Sequence, residues 1–299
     1  MIQLTNVSKI FKELEAVENV TINVNKGSIY GLLGSNGAGK TTLLRLIAGI
    51  LHQDKGEIKV NQQNVYENTA VKQQVFFIPD IPYVFPQYTV KQMAQFYQQT
   101  YSGWNQDRFD KISAVFDIDC NKKVQTFSKG MQRQVAFWLA LSTMPDVLIL
   151  DEPLDGLDPV MRKKVKNLII QDVAKREMTV LISSHNLREI EDLCDHVGIL
   201  HKGRLLLEKE IDDLKSDTHK IQVAFKKPLS EDWLKPLNVL YSEQRGSVSL
   251  CIVRGKEEEI STYIKRFQPI IYDLLPLTLE EIFIYEMGDV GYDFKNILV

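Results

Sequence analysis

Short apolar runs alternate with stretches whose apolar residues recur at helical spacing over most of the chain. Residues 2–7 and 20–33 read as strands, with Asn25-Lys26-Gly27 marking a turn. Residues 41–50 carry a helical period, 56–60 and 75–78 read as strands, and Pro79-Asp80-Ile81-Pro82 stops the second of these. Strand signals then vanish from Tyr83 to about Ala136, where 90–101 and 107–116 have helical spacing. Strands return at 147–150, 179–182 and 197–201, separated by a basic helix over 160–176 and followed by a connecting helix over 208–215. This order predicts an α/β domain over 1–215 with a mostly parallel sheet, interrupted by a helical insertion over about 80–136.

From about Asp217 the pattern changes. Ile221-Val223-Phe225 alternates, 239–241 and 248–253 flank a turn at Arg245-Gly246, 256–267 is an amphipathic helix, and 270–274 is a further strand. Thr278 with Glu281 forms a capping box for a last helix to about Met287. Residues 216–299 therefore read as a small α+β domain without a catalytic constellation, its run Glu257-Glu258-Glu259 a solvated face.

The candidate chemistry lies where strands end. Gly34-Ser35-Asn36-Gly37-Ala38-Gly39-Lys40-Thr41-Thr42 has the phosphate-loop spacing and sits between the strand ending at Leu33 and the helix after it. Its glycines let the backbone turn its N–H groups toward a polyphosphate, and the helix adds its positive dipole end. Lys40 can reach the terminal phosphates and the Thr41 hydroxyl can ligate Mg²⁺. A second apolar strand runs into Asp151-Glu152-Pro153, placing two acids at the sheet edge where α/β folds bind ligands. Asp151 suits Mg²⁺, and Glu152 suits the orientation or deprotonation of a water. A third ends in Ser183-Ser184-His185, a strand tip from which His185 could contact a γ-phosphate; His196 and His201 lack that setting and read as surface residues. Phe127-Ser128-Lys129-Gly130-Met131-Gln132-Arg133-Gln134 opens a long helix with N–H groups suited to an anion. Phe11 offers an aromatic face to a purine, with core packing as the alternative.

Composition narrows the partners. The chain has 299 residues and a net charge of −3, so no overall basic field recruits nucleic acid. The N-terminus lacks the pattern of a secretory signal, and no apolar run nears the roughly 18 residues that span a bilayer. Cys120, Cys194 and Cys251 are far apart and read as reduced packing residues.

Together these motifs resemble the ATP-binding subunit of an ABC transporter, a P-loop NTPase, over about residues 1–215. The phosphate loop, Asp151-Glu152-Pro153 and Ser183-Ser184-His185 match closely, and the family's Leu-Ser-Gly-Gly-Gln signature stands here as Phe127-Ser128-Lys129-Gly130-Met131. The Lys129 and Met131 forms, with the ending Pro276-Leu277-Thr278-Leu279-Glu280-Glu281-Ile282-Phe283, are similar to the drug, antibiotic and peptide exporter branch. Asp80 departs from the family's Gln, adding an anion near the triphosphate; this bears on how that loop couples to hydrolysis, not on ATP binding. The resemblance implies that ATP and Mg²⁺ bind through Phe11, residues 35–42, Asp80 and Asp151. Glu152, His185 and Asp80 are then catalytic, and Ser128 and Gly130 clamp the nucleotide of a second subunit in a homodimer or heterodimer. It implies integral membrane partners at the cytoplasmic face of the membrane, reached through Pro82, Tyr83, Phe85, Pro86 and Tyr88, and export of a peptide, antibiotic or toxin. A soluble non-transport ABC ATPase and a nucleotide-gated regulatory module of low turnover are the alternatives.

Overall fold

The computed structural model describes residues 1–226 and 231–282, in two compact units that divide between Glu208 and Lys209. In chain order the first unit contains β1 (Ile2–Phe11), β2 (Leu14–Val24), β3 (Ile29–Leu33), α1 (Lys40–Ile47), β4 (Lys55–Val60), β5 (Gln63–Asn64), α2 (Thr69–Lys72) and β6 (Val75–Ile78). It continues with α3 (Val90–Thr100), α4 (Gln106–Phe116), α5 (Lys129–Ser142), β7 (Val147–Asp151), α6 (Pro159–Arg176), β8 (Thr179–Ser184), α7 (Leu187–Leu193), β9 (His196–His201) and β10 (Arg204–Glu210), which crosses the division.

Two sheets build this unit. The larger has the order β10-β9-β3-β8-β7-β6, with β9, β3, β8, β7 and β6 joined by parallel pairs. Its central strands β3, β7 and β8 are buried along their whole length, which explains why they read as continuous apolar runs instead of alternating ones. The smaller sheet, β2-β1-β4-β5, is antiparallel. β1 and β2 are thus longer than the 2–7 and 20–24 segments expected, and belong to a sheet of their own.

Helix α1 fills the space between the sheets. Leu43, Leu44, Leu46 and Ile47 share one core cluster with Ile2, Leu4, Val20 and Ile22 of the small sheet and Ile149 and Leu181 of the large one. Burying each such side chain contributes about 1.5–3 kcal/mol. The end of α1 that faces the ligand edge is therefore fixed by apolar packing behind it.

Residues 80–128 contain helices and no β-ladder apart from one bridge between Thr89 and Lys123. A capping box between Thr89 and Gln92 starts α3, and Asn105 caps α4. The helix α5 carries the insertion into the core: Trp138 stacks on Phe109 with centroids 4.5 Å apart, and its indole N–H donates to the Phe109 carbonyl at 2.7 Å. Asp158 caps α6 and Pro159 occupies its first turn.

Two local expectations are corrected. Residues 204–210 form strand β10 instead of starting a helix at 208, because Arg204–Glu210 extends the large sheet beyond β9. His196 and His201 are half-buried at the two ends of β9, not surface residues. The three cysteines are free, with Cys194 and Cys251 buried.

The second unit holds α8 (Ile211–Asp217), β11 (Thr218–Ala224), β12 (Asn238–Arg245), β13 (Val248–Arg254), α9 (Glu257–Lys265) and β14 (Ile271–Leu275), with an antiparallel sheet ordered β12-β13-β11-β14. Its core joins Ile221, Val223, Trp233, Cys251, Val253, Ile260 and Ile264. The hairpin turns at Gly246, and Thr278 makes the reciprocal bonds with Glu281 that the capping box requires. Phe283 and the continuation of the last helix to Met287 lie outside the described residues. No helix among the described residues is long and apolar enough to cross a membrane.

Candidate functional site

The loop 34–39 joins the buried end of β3 to α1. Gly39 is the residue before the helix, at φ 105°, and has no side chain with which to cap it. A Cβ there would lie 2.3 Å from the Ala16 carbonyl oxygen, so both the backbone angle and the close approach of the β2 segment demand glycine. The first N–H groups of α1 are left for an anion.

A cavity of about 630 Å³ opens over this loop. Every phosphate-loop residue expected to bind nucleotide lines it (Ser35, Asn36, Gly37, Ala38, Gly39, Lys40, Thr41 and Thr42), together with Phe11, Asp80, Asp151 and Glu152. Phe11 ends β1 and is 43% exposed, so it is not a core residue; Lys9 Nζ stands 5.5 Å from its ring centroid. Leu14, Glu15, Ala16, Lys202 and Gly203 also line the cavity. No motif marks these; the chain brings them there by folding β2 and the β9–β10 turn against the loop.

The side chains at the strand ends form one connected group. Lys40, 6% exposed, donates to the Gly34 carbonyl at 2.6 Å and stands 3.3 Å from Glu152 Oε1. His185 Nδ1 lies 2.9 Å from Glu152 Oε2, and the His185 backbone N–H donates to the same oxygen at 3.3 Å. Asp151 is buried at the end of β7 and accepts from Ser183 Oγ at 2.7 Å; the Glu152 N–H in turn donates to Ser183 Oγ at 3.0 Å. Glu152 has left-handed backbone angles, φ 45°, which turn its side chain out of the strand direction. Parallel pairing of β7 with β8 matches Asp151 to Ser183, which is why residues 32 apart in sequence meet.

The donor set suits a hard divalent cation: the Thr41 hydroxyl and the Asp151 and Asp80 carboxylates offer oxygen alone and border one cavity. One ligand atom each from Glu152, Asp155 and His185 also falls within 4.8 Å of the others.

Ser128 and Gly130 are not brought to this cavity within the chain. Ser128 caps α5, exposed, with its Oγ accepting from the Met131 N–H at 3.3 Å. Gly130 packs against the turn after β7, where a Cβ would lie 2.8 Å from the Gly156 carbonyl oxygen. Arg133, five residues beyond Ser128, has no motif of its own in the sequence reading. Its buried guanidinium nonetheless reaches Asp80, Glu152 and Asp155.

One further buried acid lies beside the β8 end. Glu189, on α7, accepts from Ser184 Oγ at 3.2 Å and lies 3.3 Å from Arg162 Nη1; burial raises its carboxyl above the ordinary glutamate value.

The ABC transporter family model matches residues 17–155. The ABC transporter ATP-binding protein YtrB of Bacillus subtilis is 32% identical over 288 residues, 96% of this chain and 98% of that one. The bacitracin transport ATP-binding protein BcrA of Bacillus licheniformis is 34% identical over 223 residues, 74% of this chain and 73% of that one. Among solved structures, an ATP-binding subunit of an ABC transporter superposes with a TM-score of 0.68 at 26% identity, covering 72% of this chain and 92% of its own. A dimeric ATP-binding cassette in a post-hydrolysis state with ADP and phosphate has a TM-score of 0.64 over 71% of this chain and 99% of its own; at 21% identity it speaks for the fold alone. On the identity shared with YtrB along nearly its whole length, the chain belongs to the ATP-binding proteins of ABC transporters and is an ATPase with their P-loop fold.

Proposed function

We propose that this chain hydrolyses ATP to power export of a peptide, antibiotic or toxin through separate membrane subunits. One relative is named for bacitracin transport, and one solved cassette of the same fold is itself dimeric. The location that follows is the cytoplasmic face of the membrane, where the ATP is. The observation that carries the reading is the position of Glu152, a residue of the phosphate-loop cavity's lining, between Lys40 and His185.

In this reading the 35–42 backbone and Lys40 hold the triphosphate, and Phe11 stacks on the adenine. Thr41, Asp151 and Asp80 are the residues that would hold Mg²⁺, which when bound neutralises phosphate charge. Glu152 orients or deprotonates the attacking water, and His185 contacts the γ-phosphate. Ser128 and Gly130, which stand outside the cavity of their own chain, complete the site of a second copy or a related subunit. Hydrolysis removes the group that bridges the two, so the dimer opens.

The aromatic loop supports a membrane partner. Tyr83 is 71% exposed and its ring lies edge-on to Phe85 at 5.4 Å; Phe85 also meets Tyr88 at 5.2 Å and Phe96 at 4.9 Å. Such a preformed aromatic shelf suits the apolar side of a cytoplasmic helix. The test is co-purification from membranes. A multi-span protein retained by the wild type and lost on Tyr83→Ala is the expected result; recovery with ribosomes or DNA instead would reject transport.

A further inference from the structure

We infer that Arg133 is a positioning residue for ATP hydrolysis, acting with Asp80 as one charge-compensated unit that fixes the backbone carrying Glu152. The inference rests on the ATPase activity above. It concerns a side chain with no direct place at the phosphate loop.

Arg133 is 6% exposed and lies on the first turn and a half of α5. One guanidinium nitrogen, Nη1, donates to the Glu152 carbonyl at 2.9 Å and also to the Asp155 carbonyl; the other, Nη2, donates to the Asp80 carbonyl and to Asp80 Oδ1, the latter at 2.9 Å. Two chain segments remote in sequence are therefore tied to one planar group: the loop after β6, through Asp80, and the turn after β7, through Glu152 and Asp155. A buried cation is stabilised by hydrogen bonds to its N–H groups, which both terminal nitrogens of Arg133 make, and a guanidinium offers a rigid fork that an ammonium does not.

Two features give this hub a role beyond packing. Glu152 is held with φ 45°, a conformation that a non-glycine residue keeps only when its surroundings impose it. Its N–H is held by Ser183 and its carbonyl by Arg133, so the peptide groups on both sides of the Cα are pinned. Rotation of either would swing the carboxylate away from Lys40 and His185. Secondly, Asp80 borders the nucleotide cavity with a carboxylate. An anion there would repel a triphosphate, but Arg133 lies in direct contact and offsets it. The ionic pair thus lets an acid occupy the cavity wall, while linking movement of the 79–82 loop to the carbonyl of Glu152.

The test uses the full chain, steady-state phosphate release and binding of a fluorescent ATP analogue, on the wild type, Arg133→Lys, Arg133→Gln, Asp80→Asn and Arg133→Gln/Asp80→Asn. Arg133→Lys keeps the charge and loses the fork. Its kcat is expected to fall about 100-fold, the size of effect that misplacing a catalytic group by about 1 Å produces, with KM and analogue affinity within about threefold. Arg133→Gln leaves Asp80 unpaired and loses both turnover and affinity; Asp80→Asn, at a residue that would hold Mg²⁺, also lowers both, and in the double variant the two losses are expected not to multiply because the pair acts as one unit. Wild-type turnover in Arg133→Lys overturns the positioning role. Multiplicative losses in the double variant overturn the pairing with Asp80. Should Arg133→Gln fail to fold, the cycle is run on Arg133→Lys, in which the turnover losses of Arg133→Lys and Asp80→Asn are expected to be less than multiplicative and multiplicative loss again refutes the pairing. A wild type that binds the analogue and releases no phosphate would sink the ATPase reading itself, a different result from any variant failing to separate kcat from KM.

Discussion

Lys40 Nζ stands 3.3 Å from Glu152 Oε1, and the other oxygen of that carboxylate is taken by His185. The cation that the phosphate loop would supply for a triphosphate is thus in contact with the acid that would act on water. A bound γ-phosphate would compete for Lys40 and leave Glu152 on His185 alone. The carboxylate of Glu152 should matter to the chemical step far more than to binding. Glu152→Gln is expected to lower single-turnover hydrolysis by roughly 10²- to 10⁴-fold with nucleotide affinity retained. Near-normal single-turnover rates would remove Glu152 from the reaction.

Lys40 answers the opposite question. It is buried, donates to the Gly34 carbonyl, and is the loop's own side-chain cation. A charge-assisted bond of this kind contributes about 1.5–3 kcal/mol, so Lys40→Ala should weaken ATP binding by roughly 10- to 100-fold. Titration of a fluorescent nucleotide decides it. Unchanged affinity, with only turnover affected, would mean that the backbone N–H groups alone hold the triphosphate.

How far all of this was legible beforehand depends on what kind of contact is involved. The loop 34–42, Asp151, Glu152 and His185 stand in local patterns, each a residue type at a strand end, and the sheet order makes those ends neighbours. Parallel strands buried on both faces leave long apolar runs, so β3, β7 and β8 were plain in the sequence. Arg133 was not, because its partners Asp80, Glu152 and Asp155 lie 19 to 53 residues away and meet it only through the packing of α5 against the large sheet. The bond of Ser183 to Asp151 escaped for a similar reason: it follows from the β7–β8 register, which no single stretch encodes. Only the last three residues of β10 read as the start of a helix, since Glu208-Lys209-Glu210 looks like a polar first turn until the sheet offers it an edge.

The loop glycines differ among themselves in what they tolerate. At Gly39 a methyl group meets the Ala16 carbonyl oxygen at 2.3 Å, whereas at Gly37, φ 80°, nothing lies within 4 Å. Gly37→Ala should therefore cost only the left-handed strain of about 1–2 kcal/mol, while Gly39→Ala must also displace β2 or the loop and is expected to lose more stability. Thermal unfolding of the two variants side by side gives the comparison. Equal losses would mean that the approach of Ala16 is not what fixes Gly39.

Glu189 is buried beside the end of β8, and burial raises its carboxyl above the ordinary value of 4.5 despite the Ser184 hydroxyl and Arg162 working the other way. A carboxyl raised in the folded state binds protons more readily folded than unfolded. Its contribution is then most favourable below about pH 4.5 and is lost as pH rises through the folded value. Replacing it by glutamine keeps an acceptor for Ser184 and removes the ionisation. The difference in melting temperature, Glu189→Gln minus wild type, should accordingly become more positive between pH 4 and pH 7. A difference that instead becomes more negative with rising pH would show that the Arg162 ion pair outweighs desolvation, reversing the sign of the shift.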